Sequence, residues 1–307
     1  SLPGGCAIGT RPVDIHLKGF EALGVNIRIE EGYVVAEGRP KGANVALRFP
    51  SVGATENIMA AASRAEGVTR ITNVAREPEI VDLADFLNTM GAQISGAGTD
   101  LITVLGVDSL TGAEHTIIPD RIEAGTLLMA GVATGGDVTA VGARPEHLPN
   151  VLETLRDMGA EVEVRGAEIR ASAKNGLKAD DINTQPYPGF PTDLQAQIMT
   201  LATIAKGATV IRENVFENRF MQVAELVRMG ANIEVDGSTA IVRGVEKLTG
   251  APVMASDLRA SAALIIAGLM ADTGETAISR VYHIDRGYER IEERLGGLGA
   301  DIRRIGD

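Results

Sequence analysis

Apolar positions along the chain recur in two kinds of helical stretch. In the first kind an apolar residue returns every three or four positions, as at Leu148, Val151, Leu152, Leu155 and Met158. This spacing predicts an amphipathic helix that buries one face. The second kind is small and apolar nearly all round, as in ENIMAAASRA, AGTLLMAGVA, LQAQIMTLATIA and RASAALIIAGLMA, which begin near Ser51, Asp120, Asp193 and Asp257. Such composition predicts helices that are fully buried.

Each amphipathic helix ends in a signature that occurs five times. Its copies read EALGVNI, NTMGAQI, RDMGAEV, VRMGANI and GGLGADI, with the glycine at Gly24, Gly91, Gly159, Gly230 and Gly299. Successive glycines are 67 to 71 residues apart. Glycine at this place predicts a helix C-cap, and the alternating segments and hairpin signals that follow, such as NIEVDGSTAIV, predict strands.

The repeating unit is therefore predicted as strand, buried helix, strand, amphipathic helix and two strands. This βαβαββ order predicts an α/β (α+β) fold, an inside-out barrel in which the sheets lie outside the buried helices. A chain of 307 residues is long enough for two domains. A linear solenoid is the alternative, although known solenoid periods are mostly about 20 to 50 residues. Because the chain opens just before an amphipathic helix, we expect the first repeat to lack its first half.

Composition, charge and the lack of certain motifs indicate which partners and cofactors are not expected. The net charge is −12 and basic residues are scattered, so we expect no nucleic-acid partner. A single cysteine and the lack of a long apolar run predict a cytoplasmic protein with no membrane partner. The four histidines show no metal-ligand spacing, and no phosphate-binding glycine motif follows a strand, so we expect neither a metal nor a cofactor.

Polar loops precede the amphipathic helices and combine arginine with acids. They hold Arg11 with Asp14, Arg76 with Glu77, Arg144 with Glu146, Glu217 to Arg219, and Asp285 with Arg286. Arginine beside a helix N-terminus suits the binding of phosphate or carboxylate groups. Taken singly, each of these arginines is also consistent with an ordinary surface ion pair.

Two further residues are candidates for chemistry. Cys6, the only cysteine, lies in a loop rich in glycine and proline, where a thiol is accessible for reaction; an incidental exposed cysteine is the alternative. Asp193 follows PGFPT at the start of a buried helix. Its position favours a helix cap, and a general base whose pKa is raised by partial burial is the alternative.

Seven motifs carry a resemblance to a known family. They read PGGCAIGTRPVDIH, AREPEIVD, PDRIEAGT, FPTDLQAQ, VFENRFM, SDLRASAAL and YHIDRGYERIE. Together, in order and along the whole chain, they closely resemble the UDP-N-acetylglucosamine enolpyruvyl transferases. The related 5-enolpyruvylshikimate-3-phosphate synthases share the fold but not these strings. Enolpyruvyl transfer to 3-phosphoshikimate is kept as an alternative function.

The resemblance implies a fold of two inside-out α/β domains with three repeats each. The implied activity transfers enolpyruvyl from phosphoenolpyruvate to the 3-hydroxyl of UDP-N-acetylglucosamine and releases phosphate, with no metal or organic cofactor. This is the first committed step of peptidoglycan synthesis, and so belongs to cell wall biogenesis, cell shape and cell division. In this family fosfomycin alkylates the cysteine that corresponds to Cys6.

The resemblance also implies roles for single residues. Cys6 would protonate the methylene of phosphoenolpyruvate, Arg11 and Arg286 would hold its phosphate and carboxylate, and Asp193 would take the proton from the sugar hydroxyl, which reverses the preference for a plain cap. The nucleotide site would be lined by Arg11, Pro12, Val13, Asp14, Ile15, Ser51, Val52, Gly53 and Val215. Arg219, Asp257 and Arg259 would brace the substrate cleft.

One departure from the family is expected. Full-length members carry roughly one and a half more repeats ahead of Ser1, with a Lys-Asn motif and an arginine that contact the substrates. Residues 1–118 are therefore predicted to form an incomplete domain of about one and a half repeats, and residues 119–307 a second domain of three repeats, the last incomplete. We expect the chain alone to be inactive unless the missing segment is supplied in trans; a non-catalytic nucleotide-sugar-binding fragment is the alternative.

Overall fold

A computed structural model gives the fold of the chain, and the description covers residues 13–306. Contacts between residues group this part of the chain into two units, residues 13–118 and residues 119–306. Each unit has its own hydrophobic core. The two units are called unit 1 and unit 2.

Unit 1 contains three α-helices and six strands among its described residues. They are α1 (Val13–Ala22), β1 (Asn26–Glu30), β2 (Tyr33–Glu37), β3 (Asn44–Ala46), α2 (Val52–Ala62), β4 (Val68–Thr72), α3 (Pro78–Thr89), β5 (Gln93–Ser95) and β6 (Leu101–Leu105). Strands β1 and β2 form an antiparallel hairpin. The other four form a sheet in the order β3-β4-β6-β5, in which only β3 and β4 run parallel. Helix α2 packs against α1, α3 and this sheet.

Unit 2 contains six α-helices and eleven strands among its described residues. They are α4 (Arg121–Ala133), β7 (Asp137–Val141), α5 (Pro149–Asp157), β8 (Glu161–Arg165), β9 (Glu168–Ser172), β10 (Ile182–Asn183), α6 (Gln195–Ala202), β11 (Ala208–Arg212), α7 (Val223–Arg228), β12 (Asn232–Asp236), β13 (Thr239–Arg243), β14 (Leu248–Thr249), β15 (Val253–Met254), α8 (Leu258–Met270), β16 (Ala271–Thr273), β17 (Ile278–Ser279) and α9 (Ile291–Gly297). Three short 3₁₀ turns cover Pro145–His147, Thr192–Leu194 and Val281–Arg286.

The strands of unit 2 form separate small sheets. Their orders are β7-β9-β8, β10-β11-β13-β12, β14-β16 and β15-β17. In the four-stranded sheet β10 and β11 are parallel and the remaining pairs antiparallel, which repeats the arrangement of the four-stranded sheet in unit 1. The same supersecondary unit therefore occurs in both parts of the chain, as the sequence period predicts.

The buried helices α4, α6 and α8 pack against one another in the centre of unit 2. All eight residues of α6 are buried. Strand residues alternate between buried and exposed positions, as in β11, so each sheet covers the helices with one face and meets solvent with the other. The prediction of helices inside and sheets outside is confirmed for this unit.

The five signature glycines end helices as predicted. Each lies two residues beyond the end of α1, α3, α5, α7 or α9 and has a positive φ, between 78° and 102°. This left-handed conformation is open to glycine because it lacks a Cβ atom. The sequence signature therefore marks the same local backbone event in every copy.

Two other glycines show how closely the copies correspond. Gly106 follows β6 and Gly244 follows β13, and in each case an added Cβ would lie 1.7 Å from a backbone carbonyl oxygen, that of Ala65 or Ala205. Only glycine fits where two backbone segments approach this closely. Both units therefore contain the same tight crossing between a strand and the end of a buried helix.

Candidate active site

Asp193 occupies the centre of a charged cluster in unit 2. It lies in the 3₁₀ turn Thr192–Leu194, directly before α6. Its Oδ1 accepts a hydrogen bond from Nη2 of Arg219, and its Oδ2 accepts one from Nη2 of Arg259 at 3.0 Å. The side chains of Arg219 and Arg259 are 5% and 17% exposed, whereas that of Asp193 is 40% exposed. The carboxylate is therefore held from behind by two buried cations while part of it stays open.

The electrostatics of Asp193 correct one sequence-based expectation. Burial by itself would raise the pKa of this carboxyl, but the charges of Arg259 and Arg219, together with their hydrogen bonds, outweigh it and lower the pKa. A base with a raised pKa is therefore wrong for this residue. Asp193 is an acid in the first turn of the 3₁₀ helix, as one of the expected structural roles requires, but the N-cap role is wrong because the carboxylate bonds to the two arginines and makes no side-chain cap.

Arg259 is positioned by the start of α8. Asp257 caps this helix: its Oδ1 accepts hydrogen bonds from the backbone N–H groups of Arg259 (2.9 Å) and Ala260 (3.0 Å). The Asp257 side chain is thereby committed to the helix end. Asp257 therefore fixes the backbone of Arg259, two residues later, whose guanidinium group contacts Asp193.

Arg219 comes from the loop that follows β11. The carbon of its guanidinium group lies 5.2 Å from the centre of the Phe216 ring, in the geometry of a cation–π contact. Its Nη2 also lies 3.5 Å from the carbonyl oxygen of Thr192. Arg219 thus ties the turn before α6 to the loop after β11.

A buried hydroxyl connects the cluster to all three central helices. The Tyr288 side chain is 2% exposed, and its hydroxyl lies 2.8 Å from Oγ1 of Thr126 in α4, 3.4 Å from Nε2 of Gln197 in α6 and 3.5 Å from Nη1 of Arg259 in α8. Burial raises the pKa of Tyr288, so the hydroxyl keeps its proton. The sequence analysis did not identify Tyr288 or Gln197.

Arg286 is the last residue of the 3₁₀ turn Val281–Arg286 and is exposed. The next residue, Gly287, packs so closely on α8 that an added Cβ would lie 2.9 Å from Cδ2 of Leu258. The neighbouring Asp285 accepts two hydrogen bonds from Arg304, at 2.9 and 2.6 Å, which lower its pKa. The segment that carries Arg286 is therefore fixed on both sides.

In unit 1 the predicted nucleotide residues gather at the starts of α1 and α2. Ser51 caps α2, and its Oγ accepts a hydrogen bond from the Ala54 N–H at 3.3 Å. Val52 and Gly53 form the first turn of α2, and a Cβ on Gly53 would lie 3.3 Å from Cε1 of His16. The N-terminal N–H groups of α2 are therefore presented close to α1.

Residues Val13, Asp14 and Ile15 begin α1. Asp14 accepts a hydrogen bond from Arg48 at 2.9 Å, whereas Ile15 is 4% exposed and packs in the core of unit 1. The side chain of Ile15 is thus structural. Arg48 was not identified from the sequence. An arginine three residues before the N-cap Ser51 was the signal that could have identified it.

A second pair missed from the sequence is His16 with Asn57. Nδ1 of His16 lies 2.8 Å from Nδ2 of Asn57, across α1 and α2. Burial lowers the pKa of His16, against a smaller opposite effect of Asp14. The imidazole is therefore neutral at pH 7.

Three predicted site residues, Cys6, Arg11 and Pro12, lie outside the described residues.

Within residues 13–306, every helix is too short or too polar to span a lipid bilayer.

Comparisons with known proteins give the chain its relatives. The sequence profile of the EPSP synthase family (3-phosphoshikimate 1-carboxyvinyltransferase) matches residues 1–295. The UDP-N-acetylglucosamine 1-carboxyvinyltransferase of Magnetococcus marinus is 57% identical over 308 residues, which cover 100% of this chain and 73% of the relative. That of Granulibacter bethesdensis is also 57% identical, over 99% of this chain and 73% of the relative.

Solved structures agree with this assignment. The enolpyruvyl transferase NikO from Streptomyces tendae has a TM-score of 0.86 and 28% identity, and the match covers 95% of this chain and 72% of NikO. An EPSP synthase from Acinetobacter baumannii has a TM-score of 0.69 at 21% identity, over 97% of this chain and 72% of that protein, which shows the shared fold alone. With an α/β enolpyruvyl transferase fold and relatives above 50% identity along its whole length, the chain belongs to the family of UDP-N-acetylglucosamine 1-carboxyvinyltransferases.

Proposed function

We propose that this chain carries catalytic residues for the transfer of enolpyruvyl from phosphoenolpyruvate to the 3-hydroxyl of UDP-N-acetylglucosamine, with release of phosphate. The observation that supports this most directly is Asp193, a partly open carboxylate backed by Arg219 and Arg259. A carboxylate so placed accepts a hydrogen bond from a substrate hydroxyl, and the two cations leave a net positive charge that attracts anionic substrates.

The first half of the reaction joins the two substrates. The hydroxyl oxygen of the sugar bonds to C2 of phosphoenolpyruvate, its proton passes to Asp193, and a second proton passes from Cys6 to C3. Because its pKa is lowered, Asp193 is ionised at pH 7 but is a weak base. The hydroxyl becomes acidic enough only as its oxygen bonds to C2, so the proton moves during bond formation.

The second half of the reaction releases phosphate. The Cys6 thiolate takes a proton back from C3, the C2–C3 double bond forms again, and the bond between C2 and the phosphate oxygen breaks. Phosphate leaves with the electron pair of that bond and takes up the proton held by Asp193, so both side chains return to their starting states. Arg11 and Arg286 are proposed to hold the phosphate and carboxylate groups, because guanidinium forms paired hydrogen bonds with both. Cys6 and Arg11 enter here on the family resemblance alone.

The nucleotide is proposed to bind near the start of α2. Helix α2, 11 residues long, presents the backbone N–H groups of its first turn at Val52 and Gly53, whereas the N–H of Ser51 donates to the carbonyl oxygen of Phe49 at 2.7 Å. A helix N-terminus favours phosphate groups. On the family resemblance, Val215 in the loop after β11 is proposed as a substrate contact of unit 2, and Asp257 is proposed to place Arg259 beside Asp193.

We also propose a cellular setting. The reaction would serve peptidoglycan synthesis, and hence cell shape and division, in the cytoplasm, and fosfomycin would inhibit it through Cys6. This chain covers 73% of the Magnetococcus marinus relative. The segment proposed to be supplied in trans corresponds to the residues of that relative which the match does not cover.

The test is a phosphate-release assay on the protein as the cell makes it, with phosphoenolpyruvate and either UDP-N-acetylglucosamine or 3-phosphoshikimate. We expect release with the nucleotide sugar only, loss of turnover after fosfomycin treatment, and no turnover by the 307-residue chain alone. Release with 3-phosphoshikimate only would overturn the proposal. Binding of the nucleotide sugar in calorimetry, without any phosphate release, would instead identify a binding protein.

A further inference from the structure

We propose that Glu213 is a positioning residue that fixes the turn of Asp193 relative to the loop of Val215 and Arg219. This inference rests on the function proposed above and deepens it. Glu213 is the first residue after β11 and is 3% exposed. Its carboxylate lies beneath the site, so it would act through its neighbours and not on a substrate.

The carboxylate of Glu213 accepts four hydrogen bonds. Its Oε1 accepts from the hydroxyl of Thr184 (2.9 Å) and from the backbone N–H groups of Val215 (2.9 Å) and Phe216 (3.1 Å). Its Oε2 accepts from the hydroxyl of Thr192 at 3.0 Å. One side chain therefore joins the end of β10, the turn before α6 and the loop after β11.

These contacts reach both partners of the Asp193–Arg219 pair. Thr192 is the residue directly before Asp193, and the Phe216 ring lies under the guanidinium group of Arg219. Among the described residues Glu213 has no salt bridge to lysine or arginine, so its burial is balanced by hydrogen bonds alone. A buried carboxylate held in this way is strongly tied to one geometry, because any shift leaves a donor or acceptor unsatisfied.

The internal repeats indicate that the fold itself does not require a carboxylate here. The first residue after the equivalent strand is Asn73 after β4 and Gly142 after β7, with φ of 55° and 79°. Asn73 uses its amide to bond the carbonyl oxygen of Leu47 at 2.7 Å, a link between β4 and the end of β3. Glutamate stands only in the copy that precedes the Arg219 loop.

The positioning role of Glu213 can be tested by removing the Thr192 hydroxyl, which donates to its carboxylate. Thr192→Val removes the hydrogen bond that the Thr192 hydroxyl donates to Glu213 and keeps the shape of the side chain. Thr209→Val is the matched control, since Thr209 is a fully buried threonine of β11 whose hydroxyl has no hydrogen-bond partner among the described residues. Both variants lose one hydroxyl in the same unit, from a half-buried residue in Thr192→Val and from a buried one in Thr209→Val.

For Thr192→Val in the active protein we expect kcat to fall about tenfold, because Asp193 is no longer held in register. KM for UDP-N-acetylglucosamine should stay within about twofold, since the Val215 and Phe216 amides keep their acceptor. Thr209→Val should leave both constants unchanged. Glu213→Gln should lower kcat less, because its amide NH2 can donate to the Thr192 hydroxyl while its oxygen still accepts from the Val215 and Phe216 amides. Thr192→Ser, which keeps the hydroxyl, should have a kcat within about twofold of the parent.

Equal kcat values for Thr192→Val and Thr209→Val would overturn the inference. A Thr192→Ser variant as slow as Thr192→Val would overturn it too, since the hydroxyl would then not be the group that holds the turn. If the loss in Thr192→Val only follows the fraction of unfolded protein, measured by circular dichroism, the role is merely structural and the inference fails. An inactive parent protein would instead contradict the proposed function, so the two failures are distinguishable.

Discussion

Two clusters of arginine and carboxylate side chains in unit 2 form the same kind of ion pair in different surroundings. On the outer face of the sheet β7-β9-β8, Arg170 donates to Asp137 at 2.8 Å and to Glu163 at 3.0 Å, and its side chain is 35% exposed. At the other cluster one carboxylate, Asp193, receives two arginines that are 5% and 17% exposed. Glu163 also accepts a hydrogen bond from Arg165 at 2.7 Å, so the charges of the outer cluster balance, whereas the Asp193 cluster has one positive charge in excess.

The two clusters differ in how strongly water screens their charges, and this decides whether an ion pair can act on a bound molecule. Water screens the outer cluster, so its partners contribute little to stability and are exchangeable. Around Asp193 the surroundings exclude much of the water, so each partner is costly to lose and the excess positive charge acts on whatever binds there. The comparison can be tested by making the same substitution in both places.

The largest effect is expected for Asp193→Asn compared with Asp137→Asn. Removing the proposed base should lower kcat for enolpyruvyl transfer by about a hundred- to ten-thousandfold, whereas the outer substitution should leave it unchanged. Steady-state phosphate release measures both. A turnover number of Asp193→Asn within about threefold of the parent would remove Asp193 from the mechanism.

A smaller effect is expected for Arg259→Lys compared with Arg170→Lys. Lysine keeps the charge but has one nitrogen, and so cannot contact both Asp193 and the Tyr288 hydroxyl as the guanidinium does. We expect kcat to fall about tenfold, the effect of one lost hydrogen bond to a charged group. On the outer sheet, Arg170→Lys should behave as the parent in the same assay. Equal behaviour of the two lysine variants would mean that the fork geometry at Asp193 is irrelevant.

The smallest effect is expected in the acid dependence of stability. Arginine partners lower the folded-state pKa of Asp193 and of Asp137, so both stabilise the fold above their ordinary value near 3.8 and lose this contribution as the pH falls through the folded-state pKa. Asp193→Asn should therefore flatten the fall of the unfolding free energy below about pH 4. Asp137→Asn should flatten it less, because the arginine partner of Asp137 is more exposed to solvent than those of Asp193. Urea unfolding at several pH values measures the slopes, and a steeper slope in Asp193→Asn would contradict the lowered pKa.

Local backbone events could be predicted from the sequence because neighbouring residues determine them. The positive φ of Gly24 and Gly159, and the caps formed by Ser51, Asp120 and Asp257, each depend on a few adjacent positions. The buried helices could be predicted as well, since their composition leaves no polar face. The period then gave the order of the elements.

The chemistry of Asp193 could not be predicted in the same way. Its arginine partners are 26 and 66 residues away in sequence, so nothing local determines where the carboxylate points or the direction of its pKa shift. Tyr288 and Glu213 were missed for the same reason, because their partners lie on other elements. The roles of Cys6 and Arg11 remain predictions.

The turns after β4, β7 and β11 hold asparagine, glycine and glutamate at one repeated position. In a fold built from repeated units, the residue at an equivalent turn can differ from copy to copy while each copy keeps the same arrangement of helices and strands. Redesign of these equivalent turns has a limit, however: Asn73 and Gly142 have positive φ values of 55° and 79°, so a bulky or branched side chain introduced at either position would strain the backbone.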